Sequence, residues 1–279
     1  MVVLDAGSDT DGSRSSRVAS VEPVLSRWEA LIHDRTGPAA RPVCVVAHDA
    51  MRLSAGLRGL PAEIGRFLVI RPNRAHCAAG EDSGLPVVTV AAMAAVAVTA
   101  ALLGTLRRRG MQPRQTRVLI AGSATMPVLC PLLAAAGVGE LTSWDRRDAG
   151  RFPLRSITRD VEVVIDLLGC GRDLTDAARG RSGLIIITPD TTSWALLALP
   201  GMLHALATAH DPRLDVALYY ACALALVKAS PPGRVLPDPT DPELGPAIEQ
   251  AATHALRGGA RSRREQTQAP PTTGWNRPR

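Results

Sequence analysis

The sequence predicts an α/β fold: a doubly wound parallel sheet preceded by a smaller, truncated α/β region. Short apolar runs alternate with helical patterns from about residue 85 onward, the arrangement that builds a parallel sheet with helical crossovers. Those runs are continuously apolar rather than alternating, as strands covered on both faces must be. In addition, "RVLIAGSATMPVLCPLLAAAGV" (117–138) reads as a strand feeding a helix through a turn of small residues.

Residues 1–20 are polar and small, and are expected to be disordered. Residues 21–84 form the small region. It holds an amphipathic helix candidate, "VEPVLSRWEALIHD", and two strand-like runs, "RPVCVVAH" and "GRFLVIRP", separated by the Gly-containing "RLSAGLRGLPAEI". Residues 85–256 carry the regular pattern. A long Ala-rich helix is followed by "RVLIAG" (strand), "PVLCPLLAAAG" (helix), "ELTSWD" (strand), "VEVVIDLLG" (strand), "DLTDAARG" (short helix) and "GLIIITP" (strand). Helical patterns at 201–209, 214–229 and 243–257 close the segment, and residues 257–279 read as a disordered basic tail.

Charge excludes little until it is located. The formal net charge is +6, but from Arg257 onward six arginines face only Glu265, so the rest of the chain carries about +1. Without a basic stripe interleaved with aromatics, nucleic acid is not an expected partner of the folded part. Five cysteines (44, 77, 130, 170, 222) stand singly, mostly in apolar runs, which points to small buried hydrophobes in a reducing, cytoplasmic setting. The polar N-terminus is unlike a signal peptide. "LPVVTVAAMAAVAVTAALLGTL" (85–106) carries no charge and is long enough to span a bilayer. Half of it is Ala, Thr and Gly, whose transfer into lipid gains little, and it is read as a buried helix with no membrane partner.

The turn at 122 carries part of a dinucleotide fingerprint, G-x-G-x-x-G. Gly122 holds the first position, Ala124 the second and Pro127 the third. Ala124 adds one methyl where pyrophosphate approaches the backbone. Pro127 removes an N–H, and Pro131 denies another helical bond, so the helix is expected to start late or kink. Asp145 ends the next strand 23 residues after Gly122, where an acid bonds a ribose 2′-hydroxyl, while Arg146 and Arg147 suit a 2′-phosphate instead. The candidate cofactor-binding residues are Gly122, Ser123, Ala124, Asp145, Arg146 and Gly169, for NAD or NADP, with binding retained or vestigial. The six histidines lack HExxH or paired spacing and read as structural or exposed. Cys170 has no assignable His or Asn partner, and Asp49 and Asp166 read as turn or cap residues before acids of a cleft.

From about Leu85 to Leu256 the order of segments resembles the cofactor-binding domain of malic enzymes. The resemblance rests on the Ala-rich helix ending "AALLGTLRRRG", on "TRVLIAGSATMPVLCPLLAAAGVGELTSWDRRD" and on "VEVVIDLLGCGRDLTD". It rests most on Leu199-Pro200-Gly201 and on Pro237-Asp238-Pro239-Thr240-Asp241-Pro242, which stand where the family has Phe-Pro-Gly and Pro-x-Pro-x-Asp-Pro runs. A fainter echo runs through "VCVVAHDAMRLSAGLRG". The resemblance implies a Rossmann-like fold, an NAD(P) cofactor, and oxidative decarboxylation of malate by a Tyr, a Lys and a carboxylate-bound divalent cation. The chain departs from that pattern. Lys228 is the only lysine, Tyr219 and Tyr220 are the only tyrosines, and residues 1–218 contain neither type. Where the family has a polar His-Asp-Asp-Gln-His-Gly-Thr run, this chain reads Thr89-Val90-Ala91-Ala92-Met93-Ala94-Ala95. Glu81 and Asp82 read as a solvated loop or the remnant of an acidic pair. Thr188-Pro189, and Trp194 with Ala195, replace the family's asparagines.

The expectation is a malic-enzyme-like protein without catalytic or metal residues, degenerate for malate chemistry. The alternatives are an NAD(P)-dependent oxidoreductase with a rebuilt site, and a structural or regulatory subunit paired with an intact malic enzyme. A homo-oligomer or a partner protein is the expected assembly.

Overall fold

The computed structural model describes residues 2–5, 41–44, 67–69, 87–179, 183–209 and 212–268, together with the helical Ala30 and Ala55; only the backbone is described for 2–5, 41–44, 67–69 and 260–268. Two four-stranded sheets, each parallel throughout, are arranged along the chain. The first has the order β2-β1-β3-β4, from β1 (Val2–Asp5), β2 (Arg41–Cys44), β3 (Phe67–Val69) and β4 (Val87–Thr89). The second has the order β6-β5-β7-β8, from β5 (Arg117–Ala121), β6 (Glu140–Trp144), β7 (Val163–Asp166) and β8 (Ile185–Ile187).

Two sequence boundaries move. Val2–Asp5, assigned above to a disordered arm, is an inner strand of the first sheet, paired with both β2 and β3. Its Val-Val-Leu run has the β-branched character that favours a pleated surface. Val87–Thr89, read as the start of the long helix, is instead β4, paired with β3 in the first sheet. The first sheet therefore extends past residue 85. The expected strands at 41–48 and 65–72 are present as β2 and β3. The amphipathic helix candidate at 21–34 (apart from Ala30), the loop at 51–64 (apart from Ala55), Asp49, Glu81 and Asp82 lie outside the described residues.

Helix α1 (Val90–Arg108) begins where Thr89 Oγ1 accepts the Ala92 N–H at 3.0 Å, an N-cap bond. It ends on Arg107 and Arg108, whose charges suit a helix C-terminus. Fourteen of its nineteen residues are buried, so this apolar helix of membrane-spanning length lies inside the fold. Around it pack α2 (Leu129–Ala135), α5 (Thr191–Thr208) and α6 (Val216–Ala229). α7 (Leu244–Gln268) packs in turn on α5 and α6. Asp190 and Asp215 cap α5 and α6, accepting from Thr192 N at 3.2 Å and Leu218 N at 2.8 Å. The segment read as a disordered tail from 257 is helical in its backbone as far as Gln268, where α7 runs on through the polar stretch "RGGARSRREQTQ"; residues 269–279 lie outside the described residues.

The second sheet is covered on both faces. Val118, Ile120, Val163, Ile165, Ile185 and Ile187 face the large core built around α1. Leu119, Ala121 and Val164 face a smaller cluster with Trp144, Leu154 and Leu174, contributed in part by α3 (Leu154–Ile157) and α4 (Gly171–Ala178). This doubly wound arrangement is the one expected from the continuously apolar strands.

The two Pro-containing runs meet in space. Leu199-Pro200-Gly201 lies within α5, and Pro239 to Pro242 leads into α7; both border a cleft of about 460 Å³ that also includes His204 and Glu249, paired at 3.4 Å. Gly201 is required there: a Cβ would fall 2.5 Å from Gly245 O and 2.7 Å from Ile248 Cβ. Asp238 shapes the approach to α7. Its Oδ1 accepts from Thr240 Oγ1 at 2.6 Å and Thr240 N at 2.9 Å, and Oδ2 meets Arg234 at 3.2 Å.

Two outcomes follow from these contacts. Gly201→Ala gains about 1 kcal/mol of helix propensity, but the overpacked α5–α7 contact costs about 1–3 kcal/mol, so the midpoint of thermal unfolding falls; a rise would show that α7 yields. Asp238 has its pKa lowered to about 2 by the Thr240 hydroxyl, the Thr240 N–H and Arg234. Its contribution to stability is therefore complete above the unfolded aspartate value of about 3.9 and is lost as pH falls toward about 2. Carboxyl-detected NMR titration reads this directly, and an ordinary aspartate midpoint would refute the loop geometry.

Candidate dinucleotide site

All four strands of the second sheet run the same way, so their C-terminal ends share one edge. Ala121 is in register with Trp144 on β6 and with Asp166 on β7. Gly122, Asp145 and Leu167 are therefore the first residues beyond the sheet on three adjacent strands. Ligands of open α/β sheets bind at this edge.

Gly122 leaves β5 at φ +87°, ψ +36°, a left-handed conformation that glycine adopts without strain. Its N–H donates to Trp144 O at 2.8 Å. Ser123–Thr125 form a single 3₁₀ turn, closed by Thr125 Oγ1 on Gly122 O at 2.8 Å. α2 begins only at Leu129, so the late start expected from Pro127 and Pro131 is what the chain adopts. Ser123 N–H and Ala124 N–H stand in the first turn, where they have no intrahelical acceptor. The turn thus leaves two N–H groups without an intrahelical acceptor, and Pro127 offers none. The Ser123 hydroxyl is hydrogen-bonded to that of Ser143 on β6.

Asp145 and Arg146 stand at the end of β6. Asp145 caps the 3₁₀ turn Arg146–Asp148: its Oδ1 accepts from Arg147 N at 3.3 Å, and its own N–H donates to Asp148 Oδ2 at 3.0 Å. Trp144 is buried beneath, its Nε1 donating to Phe152 O at 2.9 Å. Arg146 reaches over the end of β5, and its Nη2 donates to Leu168 O at 2.8 Å.

The loop after β7 closes the other side. Gly169 is exposed at φ +68°. Asp166, read above as a turn or cap residue, is one: buried to 1% exposure, its Oδ1 accepts Leu168 N at 3.1 Å and Cys170 N at 3.0 Å. Its Oδ2 is buried with no hydrogen-bond partner. Cys170 is buried against it, and burial, followed by the Asp166 charge, pushes its thiol pKa up. A thiol held protonated is a poor nucleophile. Gly122, Ser123, Ala124, Asp145, Arg146 and Gly169 are therefore brought to one edge by the three strands. Three neighbours were missed in the sequence: Ser143, Asp148 and Leu168. Leu168 matters most, because its Cγ lies 2.6 Å from where a Cβ on Gly122 would sit.

The residues implied for malate chemistry stand elsewhere. Thr89–Ala95 spans the end of β4 and the first turns of α1, with Val90, Ala92, Met93, Ala94 and Ala95 buried in the core. That segment offers no carboxylate and does not fit a hard divalent cation. Among the described residues no three of His, Cys, Asp and Glu gather as a metal site. Tyr219 and Lys228 lie on α6, Tyr219 buried and Lys228 exposed near its C-terminus.

Solved structures with the same architecture identify it. The NAD-dependent malic enzyme of Thermotoga maritima superposes with a TM-score of 0.75 at 16% identity, covering 90% of this chain and 83% of that one. The fold is that of the malic enzymes. The malic enzyme of Pyrococcus horikoshii gives 0.75 at 16% identity over 92% of this chain and 76% of its own, and that of Entamoeba histolytica 0.72 at 14% over 92% and 69%. The malic-enzyme likeness thus extends well beyond the 170 residues that carry the sequence motifs. No protein-family model and no curated protein matches the chain.

Gly122→Ala is expected to destabilise the protein by about 2 kcal/mol, from the left-handed φ and the overlap with Leu168. In a Leu168→Ala background the overlap is relieved and the cost falls to the conformational part, about 1 kcal/mol. Denaturant unfolding of the four proteins measures this coupling; strictly additive effects would show that Leu168 does not rest on the turn.

Proposed function

We propose that this protein binds a pyridine dinucleotide at the Gly122 turn and does not catalyse the oxidative decarboxylation of malate. One observation carries the second half. The segment that holds the polar run in the malic-enzyme pattern is here the buried, apolar start of α1. Ionic groups could not be restored there without unpaired burial, which costs several kcal/mol per charge by order of magnitude. The absence of any Lys or Tyr before residue 219 removes the proton-transfer pair as well.

The first half is supported by the turn: a left-handed Gly122, N–H groups on Ser123 and Ala124 without an acceptor among the described residues, and Asp145 and Arg146 at the adjacent strand end. When bound, the nicotinamide would supply hydride-transfer chemistry. The chain's own groups bind and orient the dinucleotide, and a cytoplasmic setting accords with the free thiols of Cys130, Cys170 and Cys222.

The test has two arms. Calorimetric titration of the full chain with NAD⁺ and NADP⁺ is expected to give saturable binding of at least one of them, whereas no heat up to millimolar nucleotide sinks the binding reading. Incubation with malate, Mn²⁺ and either nucleotide is expected to give no pyruvate. Turnover in the ordinary enzymatic range, about 1 s⁻¹ or faster, would instead establish a rebuilt oxidoreductase site.

A further inference from the structure

We infer that the dinucleotide is NADP(H) rather than NAD(H), its 2′-phosphate held by Arg146 and Arg147. This rests on the reading of the Gly122 turn as a dinucleotide site. It follows from how the end of β6 is built.

Recognition of NAD at this position needs a carboxylate free to accept from the ribose 2′-hydroxyl. Asp145 has the right place in the chain, but its Oδ1 is turned into the cap of the Arg146–Asp148 turn, accepting from Arg147 N. Asp148 is likewise turned inward, onto Asp145 N. One oxygen of each carboxylate is thus held by the backbone, and neither side chain can swing onto a ribose without giving up that cap bond.

The two guanidinium groups are differently placed. Arg147 is exposed, and among the described residues no carboxylate forms an ion pair with either arginine. Arg146 extends across the end of β5 to Leu168 O, 2.8 Å away, and Leu168 itself rests on Gly122. A cation is therefore already at the candidate cofactor edge, bonded there, among the described residues, to a neutral carbonyl. A phosphate dianion is the stronger partner, because charge-assisted bonds to guanidinium exceed those to a neutral acceptor and take bidentate geometry. The Ser143 and Ser123 hydroxyls, at the same strand ends, are further donors. NAD offers only a hydroxyl here, for which two cations supply no acceptor.

The decisive measurement is calorimetry on the full chain with NADP⁺, NAD⁺, 2′,5′-ADP and 5′-AMP as titrants. NADP⁺ is expected to bind at least tenfold more tightly than NAD⁺, and 2′,5′-ADP more tightly than 5′-AMP. Raising the salt concentration should weaken NADP⁺ more than NAD⁺. In Arg146→Ala/Arg147→Ala the preference should collapse toward unity, with an unchanged circular dichroism spectrum confirming the fold. Equal or tighter binding of NAD⁺ by the unaltered protein overturns this inference and leaves the dinucleotide reading standing. Binding of none of the four overturns both.

Discussion

The structure depends on giving one uncharged helix a dry environment on every side. α1 has no acidic or basic residue before Arg107, and its buried positions go all the way round rather than along one stripe. Such a helix is stable in water only when enclosed. The enclosure is what α2, α5, α6 and the edges of both sheets provide: α1 touches β4 at its start and β8 farther along. Burial of each large side chain on it, such as Met93, Leu102 and Leu106, contributes about 1.5–3 kcal/mol. Its many alanines let neighbouring helices come close, and Thr99, fully buried, hides its hydroxyl on Ala95 O at 2.9 Å.

That constraint links stability to function. The first turns of α1 cannot both seal the core and hold a cation, because a carboxylate among the buried apolar side chains of that core would have no partner. In this chain the core has taken the position. The sheet edge near Gly122 is under less of this conflict, which among the described residues is confined to Asp166 Oδ2. It is formed by strand ends and turns, and can keep polar groups exposed without loss of packing.

How much was legible follows from the range of each interaction. The strands of the second sheet, the late start of α2 and the Gly122–Asp145 spacing are set by residues close in sequence: apolar runs, prolines 127 and 131, and one strand-turn-helix unit. β1 was missed because a four-residue strand carries little periodic signal, and because its partners lie about 40 and 65 residues away. β4 was absorbed into α1 because Val-Val-Thr runs into Val-Ala-Ala with no breaker, and short apolar runs do not distinguish strand from helix. At the candidate site, the part-fingerprint could be read in the sequence, but Leu168 over Gly122 and Arg146 on Leu168 O could not. Those contacts join residues 22–46 apart, and they exist only because β6, β5 and β7 end side by side.

A turn can keep its shape for reasons unrelated to a ligand, and here most of it does. Gly122 N on Trp144 O, Thr125 Oγ1 on Gly122 O, and Asp166 holding the 168–170 loop all stabilise the folded chain by themselves. They would persist in a vestigial site. Arg146 is different. Its bond to Leu168 O is exposed, and an exposed side-chain contact of this kind contributes little to stability against the entropy of holding a long side chain in place. The Ser123 and Ala124 N–H groups also serve no contact within the turn. The groups that the fold does not need are the ones a phosphate would use, and for that reason the arginines, rather than the glycine, discriminate between a retained site and the shell of one.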